Sequence, residues 1–116
     1  MSRRKHVLFV CEGNLHRGPT AEALYASNTG LKVRSAGTSS LARTEIDEEL
    51  IEWADIVCVL EPRIERILHR RFPDLLAEKK VLVLHIPDDY QRMQPELIAI
   101  LTEQLTPHLG PPERPF

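Results

Sequence analysis

Cys11 and Arg17 close and follow an apolar run in VLFVCEGNLHRGPTAE, residues 7–22. A thiolate is a strong nucleophile. A guanidinium offers a planar fork that grips two oxygens of a phosphate or similar oxyanion. Pro19 suits the first turn of a helix, so a strand gives way to a helix between Cys11 and Pro19. Backbone N–H groups at such a helix start converge on one point and carry partial positive charge. Cys11, at the first position of that loop, is therefore expected to be held as a thiolate, its pKa well below the free value of about 8.5. Arg17 falls in the first turn, where the helix dipole disfavours a cation, and an anion bound between the two would resolve the conflict. Nucleophile, oxyanion cradle and charge clamp in one loop form a layout for phosphoryl transfer.

That chemistry also needs an acid for the leaving oxygen and a base for the water that follows. Ile86-Pro87-Asp88-Asp89-Tyr90 offers two carboxylates shortly after an apolar run. Asp88 and Asp89 could each serve only as a helix cap. Standing side by side, they would also raise one another's pKa by like-charge repulsion. Asn14 tolerates the left-handed backbone that a loop adopts to turn successive N–H groups inward. Tyr90 suits either core packing or one wall of a slot for an aromatic group. His16 contributes backbone rather than side chain, and the five histidines show no metal-ligand spacing. Cys58, centred in IVCVL, reads as a core thiol, and Trp53 and Met93 read as core residues.

Strand and helix patterns alternate around these residues. Short apolar runs at residues 6–10, 56–60 and 81–84 have the continuous character of parallel strands buried on both faces, and residues 32–35 give a further short strand. Helical patterns lie between them. The first runs from Pro19 to about Asn28, with Gly30 as its stop. The second is capped by Thr44 and carries Ile46, Leu50, Ile51 and Trp53. The third starts at Pro62 and ends before Pro73. The last starts at Pro95 and presents Leu97, Ile98, Leu101 and Leu105. Residues 36–42 read as a small-residue loop. The expected fold is a three-layer α/β/α sandwich on a four-stranded parallel sheet, with the phosphate-binding loop between strand 1 and helix 1. Ligands of such sheets bind beyond the carboxyl ends of the strands. Topology thus brings Cys11, Ser35 and Asp88 to one edge. Residues 1–109 read as one domain, and the Pro-rich residues 110–116 as a flexible tail.

The order of motifs resembles the low-molecular-weight protein tyrosine phosphatase family, whose loop reads Cys-x-Gly-Asn-x-x-Arg-Ser-Pro. Here it reads Cys11-Glu12-Gly13-Asn14-Leu15-His16-Arg17-Gly18-Pro19, followed by Ala21-Glu22. Arg34-Ser35-Ala36-Gly37-Thr38 matches a second segment, and Ile86-Pro87-Asp88-Asp89-Tyr90 is close to the family's Ile-x-Asp-Pro-Tyr. The resemblance implies Cys11 as nucleophile, Arg17 as clamp and Asp88 as acid. It further implies that Glu12, Gly13, Asn14, Leu15, His16, Gly18 and Tyr90 contact the substrate. Ser35 would support Asn14, and Asp89 stands where the family has proline. The family needs no metal or organic cofactor. Its loop takes phosphate, sulfate or vanadate, and its substrates are phosphorylated proteins or small aryl phosphates.

Three features depart from the pattern: Gly18 replaces a hydroxyl residue, His16 replaces the second loop cysteine of eukaryotic members, and the chain is short after Thr38. Glu12, where the pattern allows any residue, adds a negative charge beside an anion site. A compact bacterial-type branch and a slow phosphatase are the corresponding expectations.

Composition excludes several other classes. A formal net charge of -2 gives no reason for nucleic-acid or membrane binding, and the basic clusters Arg3-Arg4-Lys5 and Arg70-Arg71 are short and solvated. Two cysteines make no disulfide framework, and the run from Val7 to Val10 is too short for a signal peptide, so a reducing cytoplasm is expected. Two alternative functions remain. A thiol-dependent arsenate reductase would keep the fold but needs a resolving cysteine, and Cys58 is the only other one. A non-catalytic module binding phosphate or phosphoprotein is motivated by Gly18 and Glu12.

Overall fold

The computed structural model describes residues 4–113, and the expectations for Arg3 and for residues 114–116 lie outside them. The sheet consists of β1 (Lys5–Cys11), β2 (Leu31–Gly37), β3 (Ile56–Val59) and β4 (Lys80–Val83), all parallel, in the order β2-β1-β3-β4. Helices α1 (Arg17–Tyr25), α2 (Glu48–Trp53), α3 (Pro62–Arg71), α4 (Pro73–Ala77) and α5 (Pro95–Leu109) cover both faces. Side chains alternate across a strand, and the two cores follow that alternation. Val7, Phe9 and Cys58 pack beneath α1 and α5 with Leu24, Tyr25, Leu97, Leu101 and Leu105. Leu8, Val10, Val57 and Val59 pack beneath α2, α3 and α4 with Ile51, Ile64, Leu68 and Leu76. The three layers and the parallel sheet follow the sequence expectation.

From β1 the chain crosses to β2 on one side and then returns past β1 to β3 on the other. Strand order reverses at the carboxyl end of β1, where a crevice opens in sheets of this kind. Cys11 is the last residue of β1. The fold therefore places Cys11 at the point where a ligand would enter.

Several boundaries differ from the sequence reading. α1 ends at Tyr25, and Gly30 (φ 86°) instead forms the turn into β2, its carbonyl accepting from the Lys5 N–H at 2.8 Å. β2 extends through Ala36 and Gly37, residues expected in a loop. Asp47, not Thr44, caps α2, its side chain accepting from the Leu50 N–H. The cause is a short parallel bridge: the Gly37 N–H donates to the Thr44 carbonyl and the Ile46 N–H to the Gly37 carbonyl, which keeps the chain extended past Ile46. α4 is an additional helix. Trp53 and Met93 are half-buried rather than core residues, and Trp53 stacks on His6. The Pro-rich ending, expected to fray, is tied down as far as Glu113. The Tyr25 hydroxyl donates to the Gly110 carbonyl (2.9 Å), Asn28 Nδ2 donates to the Pro111 carbonyl (3.0 Å), and the Glu113 N–H donates to Asn28 Oδ1 (2.8 Å). Buried Asn28 supplies the partners that composition could not reveal.

Candidate active site

β1 delivers Cys11 to a pocket of about 180 Å³ lined by Cys11, Glu12, Gly13, Leu15, His16, Arg17 and Asp88. Asn14 adopts φ 54°, the left-handed turn expected of it, and its N–H donates to Cys11 Sγ at 3.3 Å. The Gly18 N–H, at the start of α1, also donates to the sulfur. The cradle reaches the Cys11 sulfur itself.

The second motif holds this loop from behind. The N–H groups of Thr38 and Ser39 donate to the carbonyls of Cys11 and Glu12 at 3.0 Å, and the Arg43 N–H donates to the Gly13 carbonyl at 3.2 Å. Gly37 is what allows the approach, because a Cβ there would lie 2.4 Å from the Glu12 carbonyl oxygen and 2.7 Å from Ala42 Cβ. Thr20 secures the other end of the loop. Its hydroxyl donates to the His16 carbonyl and accepts from the Met93 N–H, while the Arg92 N–H donates to His16 Nδ1. The segment carrying Asp88 is thereby attached to the loop it serves.

Arg17 is buried, with only 2% of its side chain exposed. Its Nη1 donates to the Ile86 carbonyl (2.9 Å) and to the Glu61 carboxylate, and its Nε lies 3.8 Å from Asp88 Oδ1. Glu61, at the end of β3, was not identified from the sequence, where it reads as an ordinary helix-start carboxylate. It also accepts from Arg63 Nε, and Arg63 Nη2 reaches Glu12 Oε1 at 2.5 Å. Burial raises the pKa of Glu61, but its bonds to Arg17 and Arg63 outweigh this and hold it below the usual carboxylate range. Glu12 is consequently paired with a cation and does not present a lone charge to the loop.

Three expectations need correction. Burial pushes the Cys11 thiol above the ordinary cysteine range; the N–H groups of Gly18 and Asn14 and the Arg17 charge pull the other way without reversing it. The Ser35 hydroxyl donates to Glu22 Oε1 (2.5 Å) rather than to Asn14, and both polar atoms of the buried Asn14 side chain have no partner among the described residues. Tyr90 is half-buried against the core beneath α1 and α5 and does not line the pocket. The rim carries Leu15 instead, an apolar side chain 56% exposed.

Of the two aspartates, Asp88 lines the pocket and Asp89 does not. Cys58 lies fully buried at the centre of β3, and burial pushes its thiol up to about 12. Among the described residues no group of histidine, cysteine and carboxylate side chains could hold a metal ion, and no helix is long and apolar enough to cross a membrane.

Fold and loop together define a class of protein, and comparison with known proteins agrees. Residues 6–56 match the family model described as low molecular weight phosphotyrosine protein phosphatase. The matched segment contains the whole phosphate loop and the strand behind it. Among solved structures, a YwlE mutant from Bacillus subtilis is 29% identical, with a TM-score of 0.58 over 68% of this chain and 70% of that one. A Cys-to-Ser mutant of YwlE arginine phosphatase carrying a phosphorylated active-site serine is 25% identical, with a TM-score of 0.66 over 90% and 97% of the two chains. The tyrosine phosphatase Wzb from Escherichia coli K30, in complex with phosphate, is 20% identical and has a TM-score of 0.67 over 84% and 88%. No curated protein sequence matches the chain. The chain is thus similar to the low molecular weight protein tyrosine phosphatases over residues 6–56, and these likenesses support a phosphomonoester hydrolase.

Proposed function

We propose that this protein hydrolyses phosphate monoesters, phosphotyrosine or a related aryl phosphate, through a phosphocysteine intermediate. The observation that carries the reading is the convergence of Cys11, Arg17 and Asp88 on one small pocket, with the N–H groups of Asn14 and Gly18 donating to the Cys11 sulfur.

In the first step the Cys11 thiolate attacks phosphorus in line. The bond to the leaving oxygen breaks, and Asp88 gives that oxygen its proton. Loop N–H groups and Arg17 stabilise the equatorial oxygens as charge spreads over them. Asp88, now a carboxylate, takes a proton from water as that water attacks phosphorus. The S–P bond breaks, phosphate leaves and the thiolate returns. The apolar flank provided by Leu15 favours an aromatic leaving group over a charged one. The rim would therefore accept tyrosine better than the guanidinium side chain suggested by the arginine phosphatase relatives.

An arsenate reductase resolved within the chain is disfavoured by Cys58, which is fully buried and holds its proton to about 12. A thiol in that state is a poor nucleophile. The test compares hydrolysis of phosphotyrosine, phosphoarginine and a generic aryl phosphate by wild type and Cys58→Ala. Both forms are expected to hydrolyse the aryl ester, phosphotyrosine faster than phosphoarginine, with vanadate inhibiting. Phosphate binding with no turnover of any ester would replace the enzyme by a binding module.

A further inference from the structure

A second cavity, about 550 Å³, lies along α3 and is lined by Arg63, Arg66, Ile67, His69 and Arg70. Arg63, Arg66 and Arg70 recur at helical spacing and so share one face, with Ile67 between them. All three arginines are exposed. Among the described residues, Arg66 and Arg70 have no carboxylate partner, and Glu65, the one acidic residue within α3, faces His69 at 3.7 Å. Unpaired guanidinium groups along an apolar floor are a surface prepared for carboxylates, which they bind in bidentate fashion. The groove also neighbours the phosphate pocket, since Arg63, which lines the groove, bonds Glu12, which lines the pocket.

We propose that the α3 groove receives an acidic segment flanking the phosphorylated residue of a protein substrate. This rests on the phosphatase reading and adds the class of sequence the enzyme prefers. Arg70 lies seven positions after Arg63, about 10 Å along the axis at 1.5 Å per residue. An extended peptide covers that distance in about three residues. A phosphopeptide seated in the loop can thus place two or three consecutive side chains over the arginines, and a small aryl phosphate cannot reach them. Chain-wide attraction for polyanions is not the cause, because the formal net charge is -2. The recognition is local.

The test measures kcat/KM for two phosphotyrosine peptides that differ only in having acidic or glutamine residues beside the phosphotyrosine. Exposed ion pairs contribute about two- to fivefold each, so the acidic peptide is expected to be preferred by about tenfold at low salt. The preference should shrink as ionic strength rises. Arg66→Glu/Arg70→Glu should abolish it while aryl phosphate turnover stays unchanged, and Arg66→Gln should reduce it by about half or more, which covers the case of a double variant that does not fold. Fluorescence anisotropy of the unphosphorylated acidic peptide on Cys11→Ser reads the groove without catalysis. Binding there supports the groove even if no ester is turned over, a result that would sink only the phosphatase reading. Equal kcat/KM for the two peptides, or a preference that survives the charge reversal, overturns the inference. Binding of a single-stranded RNA with none of the acidic peptide would also overturn it, assigning the groove to nucleic acid.

Discussion

Arg17 and Glu61 form an ion pair that joins the start of α1 to the end of β3, across a sequence separation of 44 residues. The pair fixes the clamp from beneath while Ile86 holds the same nitrogen through its carbonyl. Removing Glu61 leaves a nearly buried cation with one carbonyl and a distant Asp88. Breaking a buried pair costs about 3–5 kcal/mol, and the partial exposure of Glu61 (20%) places the expected loss at the low end or below. Glu61→Ala should lower stability by about 2 kcal/mol and kcat/KM by at least tenfold, and Glu61→Gln should recover part of both. Denaturant titration alongside aryl phosphate kinetics checks this, and a wild-type rate in Glu61→Ala would show that Arg17 holds its position without the pair.

Gly18 packs closely beside Cys11. A Cβ at this position would lie 3.2 Å from Cys11 Sγ, 3.4 Å from Ser35 Cβ and 3.6 Å from Asn14 Nδ2. A serine therefore fits if its neighbours give by a few tenths of an ångström, and its hydroxyl would meet both the sulfur and the partnerless Asn14 amide. A hydrogen bond to a charged acceptor is worth about 1.5–3 kcal/mol, equivalent to roughly ten- to a hundredfold in rate. Gly18→Ser should raise turnover and lower the Cys11 pKa, whereas Gly18→Ala brings the crowding without the donor and should do neither. Equal effects from the two variants would trace any change to packing alone.

The Cys11 thiol gives a pH dependence of definite sign. Its burial favours the neutral form, so the thiolate fraction is small near neutrality and grows as pH rises through the raised pKa. Alkylation by iodoacetamide should accelerate with pH and reach half its maximum above about 8.5, the value of a free cysteine. The same protonation favours the folded state at neutral pH, and that contribution is lost as pH rises through the folded-state pKa. Rapid, pH-independent alkylation near pH 6 would mean that loop N–H groups and Arg17 outweigh burial.

Asp88 and Asp89 are distinguished by position, since only Asp88 lines the pocket and approaches Arg17. Asp88→Asn should slow esters with poor leaving groups by on the order of 10²-fold and activated aryl esters much less, with Asp89→Asn nearly silent. The opposite ranking would move the acid by one residue.

Much of the fold and the site was legible because it is written locally. Continuous apolar runs marked three of the four strands, Pro62 and Pro95 marked two helix starts, and residues 11–17 carried the loop with its candidate nucleophile and clamp in one stretch. What escaped depends on residues that are distant in sequence. α4 has only five residues, too few to show a period. Asp47 replaced Thr44 as cap because Gly37 pairs across the sheet edge with Thr44 and Ile46. Glu61 meets Arg17, and Ser35 meets Glu22, only once the sheet is assembled. The direction of the Cys11 shift also belongs to tertiary structure, since burial opposes the loop N–H groups that the sequence does reveal.

Covalent capture of the intermediate tests the central claim most directly. Wild type, Asp88→Asn and Cys11→Ser would be quenched in acid during turnover of an aryl phosphate, and the mass of the peptide spanning residues 7–17 measured. One phosphoryl group on Cys11 is expected in wild type, more of it on Asp88→Asn with an activated ester, because that ester still phosphorylates the cysteine while water activation is slowed. Cys11→Ser should release no product under the same conditions, any phosphoryl group it takes up staying on the side chain at position 11. Turnover in which Cys11 never carries phosphate, or turnover that survives Cys11→Ser, would contradict catalysis through a phosphocysteine.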